Sequence, residues 1–127
     1  MTGFALTSLH HVQLAMPPGE EAKAEAFYAG VLGLSRVPKP PDLVARGGCW
    51  FRGPGVAVDL GVDEPFAPAR TAHPAFLVRG LDALRERLVA AGAEVDAGQP
   101  PLQGLRRIHA FDPFGNRLEF LEPDPPR

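Results

Sequence analysis

Cysteine is almost missing from this chain. Cys49 is the only one, so no internal disulfide can form and the fold must be held by its core. A single thiol also fits a reducing, cytoplasmic setting. There is no excess of positive charge: the formal charge is -2 and the pI near 6.1, which gives no basic field for a phosphate backbone and argues against a nucleic-acid partner. No apolar run approaches the roughly 18 residues of a bilayer span, so no membrane partner is expected. The opening "MTGFALTSLHH" shows no basic segment followed by a long apolar core, so no secretory signal is expected. The motifs GxGxxG, GxSxG and HExxH are absent too.

What is present is ordinary for one soluble domain: 127 residues, 45% hydrophobic and 22% charged. Proline and glycine, 15 and 14 residues, are abundant. They cluster in "PPG" at 17–19, "PKPPD" at 38–42, "GPG" at 53–55 and "PP" at 100–101, marking boundaries between short elements. The closing "PDPPR" reads as a loose tail.

The chain repeats itself. "FRGPGVAVDL" (51–60) aligns with "FDPFGNRLEF" (111–120), which pairs Phe51 with Phe111, Gly55 with Gly115, Asp59 with Glu119 and Leu60 with Phe120. "HVQLAM" (11–16) likewise aligns with "HPAFLV" (73–78). Each is followed by a helical pattern, over 20–33 and 81–92, closed by Gly33 or Gly92 at the position where helix ends favour glycine. Strand-like runs follow near 34–37, 47–52 and 56–62 in the first half, and near 93–96, 106–111 and 117–122 in the second. Both halves therefore read strand, helix, strand, strand, strand. They span about 8–62 and 73–123, with a linker over 63–72.

Side chains alternate between the two faces of a strand. Val12, Leu14 and Met16 form an apolar face, which puts His11 and Gln13 on the other; Phe76 and Val78 do the same to His73. Val58 with Leu60, and Leu118 with Phe120, leave Asp59 and Glu119 on that same non-helix face. Any one of these polar residues is ordinary on a solvated strand. Two histidines and two carboxylates at matched repeat positions form a candidate divalent-metal site. "RRIHAF" (106–111) puts Arg107 and His109 on one strand face: a holder of an anionic substrate group and a proton carrier if that face lines a cavity, a solvated edge pair otherwise. Cys49, Phe27 and Tyr28 read as core.

In "LHHVQLAM", "AFYAGVLGL", "AHPAFLV" and above all "FDPFGNRLEFLEP", the chain resembles the vicinal oxygen chelate superfamily of glyoxalases, fosfomycin- and bleomycin-resistance proteins and extradiol dioxygenases. The resemblance covers about residues 9–123. It implies an α+β fold of two βαβββ modules forming a curled, cup-like mixed sheet with helices outside. It also implies pairing as a homodimer, with the site built across subunits in some members. One divalent ion (Zn, Ni, Fe or Mn) would be held by His11, His73 and Glu119, with Glu119 also the catalytic base. Asp59 stands where glyoxalase I-like members have a fourth ligand, a glutamate, so it becomes either a ligand or a substrate contact, alongside Gln13, Arg107 and His109. The implied activity is isomerase or lyase chemistry on a small substrate bound through adjacent oxygens. The alternatives are an Fe(II) extradiol-type dioxygenase and a metal-free drug- or metabolite-binding protein.

Overall fold

The computed structural model describes residues 3–126. Arg127, the last residue of the expected tail, lies outside them. The first half comprises β1 (Val12–Met16), α1 (Glu21–Tyr28), β2 (Ser35–Val37), β3 (Cys49–Gly53) and β4 (Val56–Val62). The second comprises β5 (Ala75–Leu77), α2 (Leu81–Ala90), β6 (Val95–Asp96), β7 (Leu105–Phe111) and β8 (Arg117–Pro123). The strand orders are β1-β4-β3-β2 and β5-β8-β7-β6. In each sheet the first strand runs parallel to the last, and the remaining pairs are antiparallel. The fold is thus α+β, two copies of βαβββ, as the repeat predicts. The two sheets are not closed into a barrel: no ladder joins β1 to β5 among the described residues, and each of these strands keeps one open edge.

The alternation does its expected work. Leu14, Met16, Val58, Leu60, Leu118 and Phe120 are buried in one core shared by both halves, together with Phe27, Tyr28, Phe51 and Cys49. The first helix stops earlier than its apolar spacing predicts. At Gly30 a Cβ would lie 2.3 Å from the Ala26 carbonyl oxygen, and the hydrogen bonds widen there to Gly30 N–H→Glu25 O and Leu32 N–H→Phe27 O. The chain then leaves through Gly33 at φ 78°, as it leaves α2 through Gly92 at φ 79°. The proline-rich boundary at 38–42 hides a short 3-10 helix, Pro41–Arg46, with proline in its first turn.

Polar ties join the modules. The Tyr28 hydroxyl donates to Asp112 Oδ2 at 2.8 Å. Asn116, fully buried, donates through Nδ2 to the Ala15 carbonyl and to Asp112 Oδ2, and its Oδ1 accepts from the Ala69 N–H. Every polar atom of that amide side chain is engaged, which is what allows it to be buried.

Candidate metal centre

The two matched carboxylates sit at equivalent places in the two sheets. Asp59 on β4 lies opposite Gln13 of β1 and Trp50 of β3, and Glu119 on β8 lies opposite Ala75 of β5 and His109 of β7. Both are buried, 4% and 5% exposed. His11 and His73 fall just ahead of β1 and β5, on the chain leading into each strand.

Their surroundings differ. His11 Nε2 is 3.9 Å from Asp59 Oδ2, while its Nδ1 meets His10 Nδ1 at 2.9 Å. Asp59 Oδ1 accepts a 2.6 Å bond from Arg52, whose guanidinium also lies over Trp50. A carboxylate held this closely by arginine has less lone-pair capacity left for an ion.

In the second module the contacts are tighter. His73 Nδ1 lies 2.7 Å from the Thr71 carbonyl oxygen, which can only accept, so Nδ1 carries a proton. His73 Nε2 is 2.9 Å from Glu119 Oε1. Arg107 donates to Glu119 Oε2 at 3.2 Å and to the Pro100 carbonyl. Burial acts against the Glu119 charge, but bonds from His73 and Arg107 outweigh it and hold the carboxyl below its ordinary range. His109, 5% exposed, approaches Glu119 Oε1 to 3.7 Å. Burial pushes its imidazole below the usual pKa; Glu119 opposes that, and His73, Arg117 and Arg107 add to it.

His73, His109 and Glu119 thus bring one donor atom each within 4.8 Å of one another. His11 is outside this cluster. Its ring and Gln13 border, with His73, a cleft of about 470 Å3 beside the open edges of β1 and β5. The periodicity placed Arg107 and His109 on one strand face, and in the structure both side chains approach Glu119. It did not single out Arg117 or Arg52, although Arg117 shares the face of Glu119 by the same alternation. The Thr71 carbonyl left no signal at all, because a backbone oxygen has no residue type to read.

His73 and Glu119 fit a divalent ion: an imidazole nitrogen, Nε2, and a carboxylate oxygen, Oε1, face one another at 2.9 Å. A ligating histidine also commonly donates its second N–H to a carbonyl, as His73 does to Thr71.

Comparison with other proteins agrees with the fold. A glyoxalase family protein from Bacillus anthracis superposes with a TM-score of 0.87 at 40% identity, over 97% of this chain and 100% of that one. FosX, a genomically encoded fosfomycin resistance protein from Listeria monocytogenes, superposes at 0.75 with 20% identity, over 94% and 96% of the chains. A variant of FosX complexed with Mn(II) and 1S,2S-dihydroxypropylphosphonic acid superposes at 0.77 with 20% identity, over 94% and 95%. No curated protein matches the chain. No helix among the described residues is long and apolar enough to cross a membrane. The model of the Glyoxalase/Bleomycin resistance protein/Dioxygenase superfamily matches residues 8–120, and the chain belongs to that family.

Proposed function

We propose that this protein is a metal-dependent enzyme of the glyoxalase-like type, acting on a small substrate bound through adjacent oxygens. The observation that carries the reading is the His73–Glu119 pair. With Nδ1–H committed to Thr71, Nε2 of His73 faces a buried carboxylate at 2.9 Å, an arrangement that needs a positive charge between or upon the two groups. His73 and Glu119 are two of the ligands and His11 is the third, supplied by the β1 end of a second copy of the chain. Within one chain His11 lies outside the cluster, and the open edges of β1 and β5 leave room for a partner's strand.

Held by His73, Glu119 and His11, a divalent ion would supply Lewis-acid polarisation of the bound oxygens. The protein's own groups do the rest. Thr71 fixes the orientation of the His73 ring, and Arg107 holds the second oxygen of Glu119. Proton abstraction by Glu119, the base in this reading, requires that its hold on Arg107 and His73 be released first. Asp59, held by Arg52, faces substrate rather than ion, and Gln13 lines the same cleft as His11. The buried lone thiol suits a cytoplasmic protein.

Calorimetric titration of chelator-treated protein with Mn(II) tests this. About one ion per chain is expected, with affinity at least tenfold weaker in His11→Ala, His73→Ala and Glu119→Gln. Absence of uptake of Mn(II), Ni(II), Zn(II) and Fe(II) by the unmodified protein overturns the reading.

A further inference from the structure

Among the described residues, Nε2 of His109 is the buried side-chain polar atom that has no hydrogen-bond partner. Such atoms are rare because each one forfeits its hydration, and one pointing towards a functional cluster calls for a ligand. The identity of that ligand follows from the opposite side of the ring. Nδ1 of His109 lies 2.7 Å from Nη1 of Arg117. A guanidinium only donates and does not give up its proton, so Nδ1 must be the bare, accepting nitrogen. In the neutral ring the proton is then on Nε2.

Arg117 is not free to relax this constraint. Its Nε donates to the Arg70 carbonyl at 2.6 Å, and its guanidinium stacks 5.0 Å from the centre of the Phe111 ring. An imidazole nitrogen that bears hydrogen has no lone pair for a metal. His109 therefore cannot ligate through Nε2 while Arg117 holds Nδ1, although its distance from His73 and Glu119 would otherwise qualify it. Nor is the proton satisfied by Glu119: 3.7 Å is too long for a hydrogen bond.

We propose that Arg117 locks His109 as an Nε2–H donor, and that this N–H receives a negatively charged oxygen of the substrate beside the His73–Glu119 pair. The tautomer stands on geometry alone, whereas the oxyanion rests on the metal reading above. With a divalent ion bound the charge balance would favour an anion: Arg107 and Arg117 offset Glu119 and Asp96, which lies opposite His109 across the β6–β7 pair, and the ion would leave an excess of positive charge. Arg117 is a positioning residue, and His109 is the contact. A carboxylate and a phosphate-like group present the same chemistry to this donor.

Two measurements test the proposal. The first is a long-range 1H–15N correlation spectrum of metal-free protein labelled at histidine, with His109 assigned by its loss in His109→Gln. It is expected to show a protonated Nε2 and a bare Nδ1, and the reverse pattern overturns the lock whether or not a metal binds. The second is calorimetry with Mn(II) and then inorganic phosphate on unmodified protein, His109→Gln and His109→Phe. Mn(II) affinity is expected to stay within about threefold in both variants. Phosphate affinity is expected to fall about tenfold or more in His109→Phe and less in His109→Gln, which keeps an N–H donor. If both variants lose Mn(II) as fully as His73→Ala, His109 is a ligand and the proposal fails. Unchanged phosphate affinity in His109→Phe overturns the oxyanion role. If the unmodified protein takes up none of Mn(II), Ni(II), Zn(II) and Fe(II), the metal reading and the oxyanion role fall together, and the spectrum alone decides the lock.

Discussion

Gly48 stands where the backbone of β3 begins, at φ 81°, and a Cβ there would sit 2.1 Å from the Leu60 carbonyl oxygen. Its N–H donates to Glu21 Oε2 at 2.8 Å, which ties the start of α1 to the sheet. Both the left-handed backbone and the close approach demand glycine. Gly48→Ala is expected to destabilise the protein by about 2 kcal/mol or more, read as a melting temperature lower by several degrees. Other single positions were legible before the structure. Parity alone put Asp59 and Glu119 on one face, because alternation is a property of every strand. It could not show that Arg52 engages Asp59, or that Arg117 reaches Nδ1 of His109. Long guanidinium side chains reach across strands, and their end points are set by tertiary packing rather than by period. The adjacent histidines resolve in the same terms: His10 and His11 precede β1, so their rings are set by each other and by Asp59 rather than by the pleat.

The elements were more legible than their ends. Both helices and all eight strands stand where hydrophobic period and glycine punctuation predict them, and the parallel pairing within each module follows from the helix that connects its first two strands. The early end of α1 escaped, since it depends on the Ala26 carbonyl intruding where Gly30 has no side chain. The last residue of that helix carries a test. Tyr28 is fully buried and donates to Asp112, and its hydroxyl is pushed well above its ordinary pKa, first by burial and then by the Asp112 charge. The folded state therefore keeps the phenol proton at a pH where the unfolded chain releases it. The stability this provides is complete below pH ~10 and is lost as pH rises beyond that towards the folded value. Melting temperature is expected to fall above pH ~10, and Tyr28→Phe is expected to flatten the fall. Equal slopes in the two proteins would remove Tyr28 from the explanation.

At the scale of the molecule, the two modules share one core, yet each holds part of the proposed ligand set. His11 is in the first module, and His73 and Glu119 are in the second. If a second copy completes each site, two defective chains can repair one another. Co-refolding equal amounts of His11→Ala and His73→Ala is expected to restore about a quarter of the metal sites, because half the pairs are mixed and each mixed pair has one intact site. No restoration, with each variant still folded and paired, would place all three ligands within one chain. Sequence alone could not decide this, since a repeat specifies two modules but not which copies face each other. The Asn116 amide gives the arrangement a consequence of its own. It binds the Ala15 carbonyl on the strand that His11 leads into, and it stands three residues before Glu119. In a two-fold pair, the strand on one side of this amide serves one metal site and the strand on the other side serves the second. An ion that stiffens either strand would stiffen the other through the same side chain, so the two sites would fill cooperatively, the second more tightly than the first.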